Sequence, residues 1–277
     1  MLFPATSHPN TMRPVLTLRE YGVALRASLD ACAQHPTPTH VHHLRTGIRR
    51  VEALLDLLPR LAGLPHVTRE AARLRKAAAP LRRAAGVTRD LDVLLGLLAQ
   101  PSAPRQAEIE SGGAHLVLKL ERRRKRSARR LTALIADKHS KLLHALDALE
   151  LALVDAKQAA AATEIDRIAL AIFRHATAQS TARSLARSAN ALHTLRKAAK
   201  LTRYLTEAAG KNAVTTRTAQ RFHAVQEKIG CWHDWLLLSD FAAQHLEDDH
   251  PLLRTLQARK KRTHATALRA AQLLLRA

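Results

Sequence analysis

The chain has 277 residues with 45 Lys and Arg against 23 Asp and Glu, a formal net charge of +22 that a polyanionic partner would offset. A hydrophobic share of 47% supports folded cores and excludes disorder, whereas Phe, Trp and Tyr at 3% argue against a protein that reads bases by stacking them. Cys32 and Cys231 are the only two cysteines and have no close-spaced partner, which argues against a disulfide framework or a Cys-based zinc site, and no apolar run reaches the roughly 18–20 residues of a membrane span, so the expected location is the cytoplasm.

Leu, Ala, Arg and Lys recur at three- and four-residue spacing with no sustained alternating run, which predicts an all-α fold. Residues 1–14 read as an N-terminal tail. Breaks fall at His35-Pro36-Thr37-Pro38, Leu58-Pro59 with Gly63-Leu64-Pro65, Gln100 to Pro104, Gly210-Lys211-Asn212 and His250-Pro251. Between them the spacing predicts helices near 15–34, 39–58, 66–99, 105–137, 164–188, 190–209, 214–246 and 251–275, with a further short helix over 139–155 linking two halves. The halves, 15–155 and 156–277, each read as a four-helix bundle packed on Leu/Ala faces.

Two elements occur twice. The first is a basic stripe, Val41 to Arg50 and again Leu192 to Leu201, in which His42, Arg45 and Arg49 share one helix face, as do His193, Arg196, Lys200 and Arg203. The second is Gly86-Val87-Thr88-Arg89-Asp90-Leu91 against Gly230-Cys231-Trp232-His233-Asp234-Trp235, each with Asp four residues after Gly. His193 follows His42 by 151 residues and Asp234 follows Asp90 by 144, so order and spacing persist and internal duplication is indicated. The blocks Arg122 to Arg126 and Arg259 to Arg262 add a weaker third match.

In the first stripe the apolar residues Leu44, Ile48, Val51, Leu55 and Leu58 lie opposite His42, Arg45 and Arg49, so the basic face points away from its own core. An isolated stripe of this kind is most simply a solvated face. Its recurrence in the same phase, with no acid in the first turns, suggests instead a shared groove for an anion. Arginine holds phosphate oxygens bidentately and stays charged, lysine adds a point charge, and histidine becomes a cation below about pH 6.5. Binding is therefore expected to strengthen on acidification. Asp90 and Asp92 could serve as a base or metal ligands, but beside arginines they read as salt-bridge partners. Gly86 and Gly230, unfavourable inside helices, suggest a close approach or a bend. Glu247-Asp248-Asp249 reads as a helix end capped by histidine. No metal site, cofactor or catalytic set is indicated, and no enzyme activity is expected.

These residues resemble the CHAD family, the conserved histidine α-helical domain, from about Val15 to the C-terminus. The first family motif, His-x-x-Arg followed by basic residues, matches His42, Arg45, Arg49 and Arg50. The second matches His193, Arg196, Lys197, Lys200, Arg203 and Tyr204, and the Arg-Asp-x-Asp-Val element matches Arg89 to Val93. Glu52 departs from the pattern, standing where a third arginine is common, and His233 stands where the first half has Arg89. The resemblance implies two pseudo-symmetric bundles around a central basic cleft that binds inorganic polyphosphate without chemistry of its own. It matches the candidate binding residues His42, Arg45, Arg49, Arg50, His193, Arg196, Lys197, Lys200, Arg203 and Tyr204; Arg82, Arg89 and Lys228 are second-tier candidates, and Arg126 enters from the basic block Arg122 to Arg126. Association with polyphosphate granules follows as an expectation. A nucleic-acid binder shares the electrostatics and remains an alternative, and a phosphoanhydride-processing enzyme is a weaker one.

Overall fold

The computed structural model describes residues 11–12, 14–99, 112–156, 160–209 and 213–276. Almost all of them are helical: α1 (Pro14–Gln34), α2 (Pro38–Leu57), α3 (Thr68–Leu98), α4 (Ala114–Ala152), α5 (Ala162–Thr177), α6 (Ala182–Arg187), α7 (Ala189–Ala208), α8 (Ala213–Ala243) and α9 (Pro251–Arg276). A 3₁₀ turn, Leu58–Arg60, follows α2. The all-α reading holds, apart from a two-residue antiparallel pair, β1 (Thr11–Met12) with β2 (Ala160–Ala161).

Local chemistry explains the boundaries. Thr37 caps α2 by accepting from the His40 amide at 3.1 Å, and Pro38 at the first helical position supplies a preset backbone angle. Ser188 caps α7 through the Ala191 amide at 3.3 Å. His250 accepts from the Leu252 amide at 3.1 Å and so caps the start of α9, the role expected for that segment.

Two expectations fail. The helix expected at 105–137 and the linker helix at 139–155 are one continuous helix, α4, of 39 residues. Its buried stripe runs through Leu131, Ile135, Leu142, Leu146 and Leu149, and no Gly or Pro interrupts it after Gly113, so the polar turn Asp137 to Ser140 simply faces outward. Residues 105–111 of that prediction, and the predicted breaks at 100–104 and 210–212, lie outside the described residues. Conversely, the helix expected over 164–188 breaks after Thr177, because Thr181 and Ser184 form a reciprocal capping box that starts α6 afresh.

Helices α1 to α4 pack in a ring, α1 on α2, α2 on α3, α3 on α4 and α4 on α1. Gly22 permits the α1–α4 contact: a Cβ there would collide with a Glu150 carboxylate oxygen, the same carboxylate that receives both terminal nitrogens of Arg26. Helices α5, α7, α8 and α9 pack in chain order, with α6 wedged between α7 and α9. The apolar cores do not divide at residue 155. The largest cluster joins α1 to α4 with Ile165, Ile168 and Ala169 of α5 and with Tyr204, Leu205 and Ala208 of α7. Another unites the ends of α3 and α8 with the starts of α4 and α9 through Leu94, Leu98, Leu116, Leu120, Trp235, Leu238, Phe241 and Leu256. On α7 and on α3 and α8 these junction residues follow directly after the basic stripe or the Gly-x-x-x-Asp element, so the helices that carry the motifs are joined by apolar contacts just beyond them.

Candidate functional site

The apolar phase of α2 decides where its charges go. Val41, Leu44, Ile48, Val51, Leu54 and Leu55 are buried in the first core, which leaves His42, Arg45 and Arg49 on the opposite side. Leu192, Leu195, Ala199, Thr202 and Leu205 do the same for α7, and α7 packs directly on α2. The two stripes therefore meet. Burial, Arg45, Arg196, Arg49 and Arg203 together push the Lys200 ammonium down to about 7. Burial and the charges of Arg89, His43, Lys200 and Arg45 lower His42 below the usual histidine range. Burial and His233 do the same to His193, whose ring meets that of His233 edge-on at 5.3 Å.

A cavity of about 510 Å³ opens beside this cluster, lined by Arg49, Glu52, Asp56, Arg75 and Arg82 from one side and Thr194, Lys197, Lys200 and Tyr204 from the other. The Nε atoms of Arg49 and Arg196 are buried and find no acceptor among the described residues. A buried guanidinium donor left unsatisfied costs roughly 1–3 kcal/mol, and of the two arginines Arg49 lines the cavity. Burial also disfavours the charge on both arginines, with Arg82 adding to the effect at Arg49 and Arg45 adding to it at Arg196.

The duplicated glycines occupy equivalent places beside the two motif arginines. A Cβ on Gly86 would lie 3.7 Å from Nε of Arg45, and one on Gly230 would lie 3.8 Å from Nε and Nη2 of Arg196. The same contact is made twice: the arginine of each His-x-x-Arg motif lies over the glycine of the neighbouring helix. The close approach or bend inferred for these glycines is not what a Cβ would meet: each faces a guanidinium at a distance that leaves room for one. Because both distances are ordinary van der Waals contact, Gly86→Ala and Gly230→Ala should each stabilise the protein by about 1 kcal/mol through helix propensity. Thermal unfolding of the two variants checks this, and a fall in Tm would contradict it.

Glu52 also finds its explanation here. It accepts from Arg82 Nε at 2.9 Å and lies 3.5 Å from Arg49, so its charge is spent on neighbours. The corresponding contact in the second half joins Arg203 Nε to Gln226 at 2.9 Å, with Glu207 holding Arg203 Nη1 at 2.6 Å. Position 52 relates to 203, and 82 to 226, by the same offsets as the two motifs, so one contact is kept while its charges are redistributed. Gln226 escaped the sequence reading, although the 144-residue offset from Arg82 pointed to it. So did the Arg75–Asp56 ion pair at 2.6 Å, for which no motif gave a signal.

The remaining candidates are spread around the cleft. Tyr204 is buried beneath Arg203, whose guanidinium carbon sits 4.7 Å from the ring centre, and Lys200 Nζ is 5.7 Å from the same ring. Arg50 is exposed and turns toward Tyr21 of α1 at 5.7 Å. Arg89 acts on His42 and on Asp234, a carboxyl that burial pushes up despite the nearby Arg196 and His233. Lys197 and Lys228 are exposed. Asp92 is structural: its side chain is 4% exposed and accepts from Arg124 Nε at 2.9 Å. Arg126 is not brought to the cleft. It lines a separate groove with Lys119, Arg122, Arg123, Lys125, Arg129 and His245, because the apolar residues of α4 turn that face outward.

The fold and the cleft define an all-helical protein with opposed cationic stripes. Residues 18–243 match the CHAD domain, and the chain belongs to that family. Among solved structures it is similar to the crystal structure of the CHAD domain from the plant Ricinus communis, at 20% identity and a TM-score of 0.65, covering 93% of this chain and 89% of that one. It is also similar to PptA from Streptomyces chartreusis, at 17% identity and a TM-score of 0.62, covering 96% and 100%. At these identities the likeness establishes the fold. No curated protein matches significantly. No helix among the described residues is long and apolar enough to cross a membrane.

Proposed function

We propose that the chain binds inorganic polyphosphate along the cleft between α2 and α7, without chemistry of its own, and that this binding associates it with polyphosphate granules. The supporting observation is the pair of buried, unsatisfied guanidinium donors of Arg49 and Arg196 around a Lys200 whose charge is suppressed by like neighbours. Such a cluster is unfavourable until an anion enters, and its cations are repeated with little else to recognise. A linear phosphate polymer supplies oxygens at every position and asks for no base-reading group. Arg45, Arg49, Arg196, Lys197 and Lys200 hold it, Arg203 and Tyr204 form the wall, and His42 and His193 assist at one mouth.

Titration with long-chain polyphosphate is expected to lose about 10³-fold in affinity between roughly 50 and 200 mM salt, as displacement of counterions requires for about six phosphate contacts. A change below about threefold would overturn the proposal. At fixed salt, affinity should rise roughly tenfold from pH 8.5 to 6.5, because Lys200, His42 and His193 have depressed values in the free protein and bound phosphate favours their charged forms. Weaker binding at the lower pH would contradict this assignment.

The outer groove containing Arg123 and Arg126 favours a second reading, binding of a nucleic-acid backbone. The adjoining Phe241 is already covered by Arg123 at 4.8 Å and by His245 at 4.4 Å, which leaves its ring no free face for a base. Competition between polyphosphate and duplex DNA separates the two: polyphosphate should displace DNA, and DNA should not displace polyphosphate.

A further inference from the structure

We propose that the groove on the outside of α4 is a second, weaker polyphosphate site, and that by holding polymer on two faces the protein cross-links polyphosphate chains. The inference rests on the polyphosphate reading of the cleft. The groove has a volume of about 570 Å³ and is lined by six cations of α4 between Lys119 and Arg129 and by His245, just beyond α8. No residue lines both this groove and the cavity between α2 and α7. Leu116, Leu120 and Leu131 bury the opposite face of α4 in the apolar cores, which keeps its cations outward.

This face is unfavourable by itself. Arg122, Arg123, Lys125, Arg126 and Arg129 are exposed, and none has an ion pair among the described residues. Arg122 and Arg126, like Lys125 and Arg129, are four residues apart, where like charges on a helix repel. The nearest acids in sequence are engaged elsewhere: Asp92 is held by Arg124, and Glu121 lines a neighbouring apolar groove. Arg123 is also held in place. Its guanidinium carbon lies 4.8 Å from the Phe241 ring centre, and Nη2 lies 3.5 Å from Nε2 of His245. His245 donates from Nδ1 to the Phe241 carbonyl at 2.7 Å, which leaves Nε2 as the acceptor for the arginine.

A dense row of phosphates fits these cations best. From Lys119 to Arg129 the helix advances about 15 Å. One strand of duplex DNA presents roughly four phosphates over that length. In polyphosphate a single oxygen joins neighbouring phosphorus atoms, so its charges are spaced more closely and can meet all six cations. Four of the six are arginines, which take phosphate oxygens bidentately. Exposure screens these contacts by solvent and salt, so the site is weaker than the cleft. Two sites on one molecule turn a long polymer into a network.

Calorimetric titration of the full chain with a short linear polyphosphate at low salt is expected to show two sites, the second about 10²-fold weaker. Arg122→Glu with Arg126→Glu should remove the weaker site and keep the tight one, while Arg196→Glu with Lys200→Glu should do the reverse. Lys261→Glu with Arg262→Glu, an equal change in formal charge, should keep both. With long-chain polyphosphate the parent protein and this last variant should form light-scattering networks, whereas Arg122→Glu with Arg126→Glu should bind without them. Circular dichroism confirms helicity in each case. Two sites surviving Arg122→Glu with Arg126→Glu, or scattering equal to the control's, overturns the inference. So does displacement of polyphosphate from the groove by duplex DNA at equal phosphate concentration, which would assign the groove to nucleic acid. A tight site that persists in Arg196→Glu with Lys200→Glu sinks the cleft reading, whereas a parent protein with one site, lost in that variant, sinks only this inference.

Discussion

Arg196→Glu combined with Lys200→Glu is expected to abolish high-affinity polyphosphate binding, a loss of about 10²- to 10³-fold, while Lys261→Glu with Arg262→Glu changes affinity less than about threefold. Both pairs alter the formal net charge equally, so the comparison isolates position. Arg196 and Lys200 sit where solvent screening is weak, and each lost charge-assisted hydrogen bond removes about 1.5–3 kcal/mol, or one to two powers of ten. The introduced carboxylates would also repel the ligand and join Asp90 and Asp234, which already act on Arg196. Lys261 and Arg262 lie on an exposed face of α9. Calorimetric titration at one ionic strength, with circular dichroism to confirm helicity, reads the result. Equal losses for the two variants would mean that the whole basic surface, and not the cleft, attracts the polymer.

Lys200→Met should do something a merely destabilising core substitution cannot: raise Tm and weaken binding together. An exposed lysine in the unfolded chain titrates near 10.4, whereas in the folded protein Lys200 is held down to about 7. Between those values the unfolded state binds more protons, so this group's contribution makes stability rise with pH from about 7 toward 10. Below about 7 the full cost of the buried ammonium is present. Methionine keeps the apolar stem and removes that cost, so at pH 7 or below the variant should gain on the order of 2–4 kcal/mol, or about 5–10 °C in Tm. Toward pH 10 its advantage over the parent protein should disappear. Affinity for polyphosphate should fall about tenfold, one charge-assisted contact being lost. Melting curves across this pH range, taken in buffers free of phosphate and sulfate, check the first part. A lower Tm at neutral pH would show that Lys200 is already neutralised by a partner.

Facing stripes could be read from sequence because helical period alone fixes them. Once Leu44, Ile48 and Val51 are assigned to a core, His42, Arg45 and Arg49 have only one side left, and the same logic placed His193, Arg196 and Lys200. The repeated offsets then paired the stripes. What the chain order concealed is what depends on another helix. Arg196 and Arg203 stand one turn either side of Lys200 and were legible, but Arg45 and Arg49, which add to the suppression of its charge, come from the facing helix. Glu52 stood out as a departure from the family pattern, yet Arg82, thirty residues on, pairs with it. Arg126 was drawn toward the site by its basic neighbours, although the apolar phase of α4 turns it outward. The continuity of α4 was hidden by the polar turn at Asp137 to Ser140, which resembles a break until Ile135 and Leu142 are seen on one buried stripe.

The shared apolar clusters affect how an anion would be received. Leu94, Leu98, Trp235 and Leu238 join α3 to α8, and Tyr204, Leu205 and Ala208 join α7 to the core of α1 to α4, so the helices that carry the motifs are already held by shared apolar clusters. An anion entering beside them would meet side chains on helices whose positions are set beforehand, and little of its binding energy would go into assembling the walls.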